Sequence, residues 1–272
     1  MSSDTPRELP PYRAVLVVDT KGFGSNTDVV QAAIADTIYN VVARAFERAG
    51  LAHVLEGALF PHNTGDGFGM GFETRYLPAV VSLFFDALQT ELAEQDARMR
   101  SLPGRASLRM RASLNVGPVR DVDPDGKASV VGTTVVTAHR LLDADPVRRV
   151  LTGSDPEQTF VSAVLSQRVF EDVLASGYAT LPPSRVAEVP VRVKEFTGTV
   201  YLYVPNPSGD LLRDGFGSSP EYREKLVAAE AEREREAPVS KGTKNVIRDV
   251  KSSGTIFQVG NMHGNITGYP DR

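Results

Sequence analysis

The chain has 272 residues, a formal net charge of −4 and a pI of about 5.7. That mild acidity argues against a general nucleic-acid binder, which would show a basic face or a high pI. The lack of cysteine excludes disulfides, thiolate nucleophiles and Cys-based zinc sites. The polar, Pro-rich start (MSSDTPRELPPYR) carries no apolar signal core. No run approaches the ~18 apolar residues of a membrane span, so the expectation is a cytoplasmic protein without a membrane partner.

Taken in order, Ala14 to Val18 is a short β-branched run that reads as a buried strand ending in Asp19. A turn follows at 21–26. Next comes a helix capped by Asn26 or Thr27, with Val30, Ile34, Ile38, Val41, Val42 and Phe46 on one face and Gly50 as its stop. Val54 to Phe60 and Gly67 to Phe72 read as a hairpin that turns over Pro61 to Asp66. A long helix is expected from about Leu77 to Met99, with Leu83, Phe84, Leu88 and Leu92 as its apolar stripe. Leu108 to Val116 alternates as a strand, with a loop after it at 121–127. Thr133 to Leu142 reads as helix, Phe160 to Leu174 as strand then helix, and Val189 to Val193 with Gly198 to Val204 as a last hairpin.

This order predicts an α+β fold: a sandwich of a mixed, mostly antiparallel sheet with helices on one face. The expected division is an N-terminal arm at 1–11, one domain at 12–205, a linker with a charged helix at 206–251 and a separate tail at 252–272. The Glu/Arg run at 230–236 reads as a solvated face.

Two carboxylates stand out. Asp19 ends the first strand and Asp66 sits in the hairpin turn, and a β-α-β-β unit can bring those places together. Such a pair can hold hard cations while substrate phosphates complete the shell. Backbone amides at 20–24 lie where a strand turns into a helix, a place suited to a phosphate. Plain turn and cap chemistry is the competing reading of both aspartates.

Five motifs now carry a resemblance. Asp19-Thr20-Lys21-Gly22-Phe23 is similar to the D-I-x-G-F metal motif of class III adenylate and guanylate cyclases. Thr64-Gly65-Asp66-Gly67-Phe68 resembles their hairpin motif, and Arg111 to Val119 their R-x-G-I-H-x-G-x-V strand. Gly132 to Arg140 resembles G-x-x-V-N-x-A-x-R, and Val191-Arg192-Val193-Lys194 the late V-x-V-K segment. The order holds across residues 10–204, and the chain most resembles an actinobacterial group of stand-alone cyclase-like domains.

The resemblance implies a ferredoxin-like cyclase sandwich that turns a nucleoside triphosphate into a cyclic nucleotide and pyrophosphate with Mg²⁺ or Mn²⁺. It implies metal ligation by Asp19, Asp66 and the carbonyl of Thr20, and a phosphate cradle at Lys21, Gly22 and Phe23. Arg140 would stabilise the α-phosphate and Lys194 would contact the terminal phosphates. His62 and Ser129 would face the base. A homodimer is implied, with the aspartates from one chain and the Arg140 motif from the other. Three positions depart from the pattern. Val136 stands where an asparagine orients the ribose, and the His62/Ser129 pair matches neither the adenine nor the guanine pair. A catalytically degenerate signalling or scaffold module is therefore the alternative. The residues also carry plainer readings: Arg140 as a partner of Asp143, Lys194 as an exposed strand charge, His62 as a solvated turn residue and His139 as a helix-surface residue.

From Ser252 to Tyr269 there is neither a charge nor a proline. Thr255 to Asn261 combines β-branched, aromatic and amide side chains, the composition of a stacking cross-β segment. Ile256 to Gly260 is similar to the V-Q-V-G core of RIP homotypic interaction and bacterial amyloid-signalling motifs. A protein partner through residues 252–267 is the expectation, and a docked strand or a disordered tail the alternative. The peptide 250–272 should seed thioflavin-positive fibrils; one that stays monomeric at high concentration would overturn that reading.

Overall fold

The computed structural model describes residues 8–99, 108–120 and 132–216. The chain divides into two compact units, Met1–Ser219 and Pro220–Arg272, and the second lies outside the described residues, as do the charged run and the tail.

The first strand, β1 (Tyr12–Thr20), leads through a 3₁₀ turn at Phe23–Ser25 into α1 (Asp28–Arg48). After the short α2 (Ala52–Glu56) come β2 (Leu59–Asn63) and β3 (Gly67–Glu73). A 3₁₀ turn at Thr74–Tyr76, α3 (Leu77–Ala79), a π-helical segment at Val80–Phe84 and α4 (Phe85–Met99) lead to β4 (Met110–Pro118). Two helices, α5 (Thr133–Leu142) and α6 (Asp145–Thr152), cross over to β5 (Val161–Ser166). A helical stretch of α7 (Gln167–Val169) and Phe170–Ala175 precedes the hairpin of β6 (Val186–Val193) and β7 (Phe196–Tyr203), and α8 (Asp210–Asp214) follows.

The seven strands form one sheet in the order β2-β3-β1-β4-β5-β7-β6. Its first four strands are the β-α-β-β-α-β ferredoxin-like arrangement. All pairs are antiparallel except β4 with β5, which the α5–α6 crossover joins in parallel. The expected class, a mixed and mostly antiparallel α+β sheet with helices, is what the chain forms.

Strand alternation sorts the side chains of β1. Ala14, Leu16 and Val18 join Met70, Phe72, Ala112 and Leu114 beneath the long helices, where Ile34, Ile38, Phe46, Phe84 and Leu88 are buried. Val15 and Val17 face the other way and pack with Val135, Ala138 and Leu142 of α5. The long helices thus cover one face, and α5 covers part of the second.

Local differences from the expectation have local causes. Val54 to Glu56 is helical rather than extended, because the chain turns once more after Gly50, and β2 begins only at Leu59. Pro61 to Asn63 belong to β2, so the turn is confined to Thr64 to Asp66. The π segment shifts the phase of the long helix, leaving Leu83 46% exposed while Phe84, Leu88 and Leu92 stay buried. Beyond Val204 the chain remains tied to the sheet unit: the Asp155 amide donates to Ser208 Oγ (3.0 Å) and the Asp210 amide to the Gly153 carbonyl (2.9 Å). None of the described helices is long and apolar enough to cross a membrane.

Candidate active site

The strand register brings the two sequence-predicted carboxylates together. Asp19 lies opposite Gly67 on β3 and opposite Arg111 on β4, and the Thr20 amide donates to the Asp66 carbonyl at 2.8 Å. Arg111 grips Asp19 with a fork: Nε donates to Oδ1 at 2.8 Å and Nη2 to Oδ2 at 2.5 Å. Burial raises the Asp19 carboxyl from 3.8 to about 6. Arg111 opposes that rise, and the charges of Asp66 and Asp143 add to it. Asp66 is held more lightly, its Oδ1 accepting from the Thr64 hydroxyl at 3.0 Å. Thr20 Oγ1 is buried beside them with no hydrogen-bond partner among the described residues.

The polar face of β4 explains how α5 comes to lie over this site. Arg111 Nη1 donates to the Leu142 carbonyl (3.0 Å), Ser113 Oγ to the Ala138 carbonyl (2.6 Å) and Asn115 Nδ2 to the Thr134 carbonyl (2.9 Å). Two strand residues advance about 6.6 Å and four helical residues about 6 Å, so the two periods nearly match. Each rung pins one more turn of α5 antiparallel to β4. At the last rung the Arg111 cation meets a carbonyl at the helix C-terminus, where the helix dipole favours positive charge. The motif that contains Arg111 implies no role for it. Its signal was the alternation that places it on the same face as Ser113 and Asn115.

The lysine of the phosphate turn points elsewhere. Lys21 Nζ donates to the Leu151 carbonyl at 2.7 Å, and Arg109 Nη1 donates to the same oxygen at 2.6 Å. Burial lowers the Lys21 ammonium pKa, and the charges of Arg109 and Arg111 lower it further. Two cations thus share a carbonyl at the C-terminal end of α6. Gly22 is left-handed (φ 72°), the conformation that lets the chain turn directly after β1, and Phe23 packs partly buried against the core.

Arg140 pairs with Glu195 at 2.6 Å, while Asp143 pairs with Arg148. The helix-local Arg140–Asp143 pair considered from sequence is therefore not formed. The Arg140–Glu195 contact brings α5 to the β6–β7 turn, where Lys194 is exposed with a left-handed backbone (φ 52°). Val136, on the outward stripe of the same helix, is 40% exposed.

His62 lies in β2 over a stretch of β3 whose near face is glycine. Gly67, Gly69 and Gly71 all fall on it, and a Cβ at Gly69 would strike the His62 ring, one at Gly71 the Phe60 ring. His62 Nδ1 donates to the Phe60 carbonyl (3.2 Å), and its Nε2 lies 3.3 Å from Nε2 of His139. Neither the pairing with His139 nor the role of Glu195 was legible in the sequence, because both partners lie far along the chain. Ser129 lies outside the described residues. Among the described residues, no three or more His, Asp or Glu side chains cluster as a metal site, so any cation at Asp19 and Asp66 would take its remaining ligands from substrate, backbone and water.

No family model matches the sequence, and no curated protein matches it. Among solved structures the chain is similar to a bacterial light-regulated adenylyl cyclase, with 11% identity and a TM-score of 0.51, over 75% of this chain and 55% of that one. It is also similar to the guanylyl cyclase Cya2, with 18% identity and a TM-score of 0.45, over 73% of this chain and 93% of that one. A third similarity is to the adenylyl cyclase CyaB from P. aeruginosa, with 16% identity and a TM-score of 0.43, over 71% of this chain and 92% of that one. At these identities the likeness is one of fold.

Proposed function

We propose that residues 12–205 form a nucleotidyl cyclase that converts a nucleoside triphosphate to a cyclic nucleotide and pyrophosphate, acting as a homodimer in cytoplasmic signalling or defence. The observation that carries this reading is the pair Asp19 and Asp66, brought to one end of the sheet by the β1–β3 register.

The donor chemistry there fits a hard cation. Asp19 and Asp66 offer only oxygen, and the carbonyl of Thr20 is a third donor, the set that suits Mg²⁺ or Mn²⁺. When bound, such ions lower the charge barrier to attack by a ribose 3′-hydroxyl on the α-phosphorus. Asp19 and Asp66 hold and orient them. Arg111 fills both oxygens of Asp19 in the free protein, so its guanidinium must turn aside or share as the site loads. Arg140 supplies a fixed positive charge for the oxygens of the α-phosphate, and the substrate displaces Glu195 from it. Lys194 takes the terminal phosphates. Gly22 and Phe23 shape the turn that faces them, and Lys21 must leave the Leu151 carbonyl to join it. His62 and Ser129 are assigned to the base, which is left open. In the dimer the aspartates of one subunit meet Arg140 and Lys194 of the other.

A second reading is favoured by one observation. Val136, which the resemblance puts where an asparagine orients the ribose, is exposed and has no hydrogen-bonding group. A degenerate cyclase-like module, recruited to a protein partner through residues 252–267, would keep the fold and lose turnover. The test is incubation of the purified protein with each of the four NTPs and Mn²⁺, followed by mass detection of cyclic product. Absence of product with all four, or product unchanged by Asp66→Ala, rejects the enzymatic reading.

A further inference from the structure

The chain has four histidines and no cysteine, and the fold brings two of those histidines together. His62 is on β2 and His139 on α5, and both are half-buried at the edge of the sheet face that α5 covers. Their Nε2 atoms face each other at 3.3 Å, with ring planes inclined by 41°. Two nitrogens bound at about 2.0–2.1 Å with a tetrahedral angle between them stand about 3.3–3.4 Å apart. The observed separation, which the two rings now bridge by a hydrogen bond, is also that of two ligands on one cation, so a cation could replace the shared hydrogen without moving either ring.

The surroundings fix the proton of His62 in the same sense, while His139 Nε2, which donates to His62 in the free protein, would hand its hydrogen to Nδ1 or solvent as a cation binds. The Phe60 carbonyl can only accept, so the Nδ1 of His62 that contacts it carries the hydrogen, and the Nε2 of His62 presents a lone pair. A backbone carbonyl behind the ligating imidazole is the usual support of a metal-bound histidine. Burial, and then the neighbouring His62, lower the pKa of His139, which favours the uncharged ring that a cation needs. The negative charges of Asp66 and Asp143 bear on the same ring and favour a cation beside it. Gly69 makes the arrangement sterically feasible, since any side chain there would push the His62 ring away.

We propose that His62 and His139 form a binding site for a borderline-soft divalent cation of the Zn²⁺, Ni²⁺ or Cu²⁺ class, distinct from the oxygen site at Asp19 and Asp66. Imidazole nitrogen suits these ions, whereas Mg²⁺ prefers oxygen. Two protein ligands leave the remaining positions to water, since no third His, Asp or Glu joins the pair among the described residues. The site draws on His62, which the cyclase reading assigns to the base, so cation and base would compete for that ring; it bridges β2 to α5, so that occupancy ties the strand carrying His62 to the helix carrying Arg140.

The test is Zn²⁺ titration of untagged, chelator-treated full-length protein by calorimetry, with excess Mg²⁺ present to fill the oxygen site. Cu²⁺ electron paramagnetic resonance on the same samples reports coordinated nitrogen. The expected result is one Zn²⁺ bound per chain, with affinity at least about tenfold weaker in either His62→Gln or His139→Gln and unchanged in His53→Gln. Glutamine keeps the size and polarity of the positions, and unchanged circular dichroism shows that the variants fold. The Cu²⁺ spectrum should show two coupled nitrogens in the wild type and lose one in each variant. No Zn²⁺ bound, wild-type affinity in His62→Gln and His139→Gln, or binding lost only in His53→Gln would overturn the proposal and leave a simple hydrogen-bonded ring pair.

Discussion

Two ion pairs of the same chemical kind divide the candidate site. Asp19–Arg111 joins two strands in direct register, and its side chains are 15% and 14% exposed. Arg140–Glu195 joins a helix to a hairpin turn, and its side chains are 28% and 75% exposed. The first is fixed by backbone geometry and shielded from water. The second depends on two long side chains meeting at the surface, where water screens them. The aspartate half of the candidate site is thus part of the fold, while the arginine half rests on the fold's rim, held by a pair that water screens.

The largest expected effect breaks that comparison at its aspartate end, on the proposed cyclase reading. Asp66→Ala should reduce cyclic nucleotide formation by about a thousandfold or more, since a metal ion contributes several kcal/mol of charge stabilisation. Thermal unfolding should barely change, because Asp66 is partly exposed and its side chain is held by one hydroxyl. Mass-detected product and a melting curve from the same preparation check both halves of the statement.

The next effect separates the two ion pairs. Arg111→Met leaves a shielded carboxylate without its partner and should lower unfolding free energy by about 3 kcal/mol. Adding Asp19→Asn should recover most of that loss. Glu195→Gln should change stability by less than about 1 kcal/mol. Urea denaturation of the four proteins would decide the matter, and equal costs for Arg111→Met and Glu195→Gln would erase the distinction.

A pH series sharpens the same contrast. The folded-state carboxyl of Asp19 is raised from 3.8 to about 6, so the folded chain holds that proton more tightly than the unfolded chain does. This contribution to stability is fully present below pH 3.8 and is lost as pH rises through about 6, an effect of about 3 kcal/mol over that window. Metal-free wild type should lose that amount relative to Asp19→Asn between pH 4 and 7. Parallel curves for the two proteins would contradict the burial-driven rise.

Much of this was legible because it is periodic. The alternation in β1 and β4, the helical stripe of α1 and the turn chemistry around Asp66 each belong to a few neighbouring residues, and they placed the two aspartates correctly. What was illegible depends on register between distant segments. Arg111 could be seen on a polar face, but only pairing with β1 shows that it faces Asp19. Nothing in the sequence around Glu195 ties it to Arg140, because their contact depends on where α5 lies. The π segment at Val80–Phe84 leaves no mark in an apolar stripe, which is why Leu83 was misplaced. Val54 to Glu56 carries β-compatible residues that the local turn after Gly50 overrides.

Smaller effects test how α5 is held over the site. Asn115→Ala removes one rung between β4 and α5 and should lower stability by about 1 kcal/mol. Ser113→Ala should do about the same at the middle rung. Both should leave the Asp19–Arg111 fork intact, so the pH window above should survive in either variant. Loss of that window would mean that α5, rather than strand register, holds Asp19.

The smallest effect concerns the rim itself. Lys194 is held in the left-handed region (φ 52°), which disfavours a residue with a Cβ by about 1 kcal/mol. Lys194→Gly relieves that strain but adds freedom to the unfolded chain, so the net gain should be some tenths of a kcal/mol, read as a higher urea midpoint. Activity should move the other way if the lysine grips phosphate, with KM for the nucleotide rising. Lys194→Asn separates the two causes, because asparagine tolerates the same backbone without supplying charge. A gain in stability with unchanged KM would reduce Lys194 to an exposed strand charge. A loss of stability would mean that its side chain, not its backbone, holds the turn against Arg140 and Glu195.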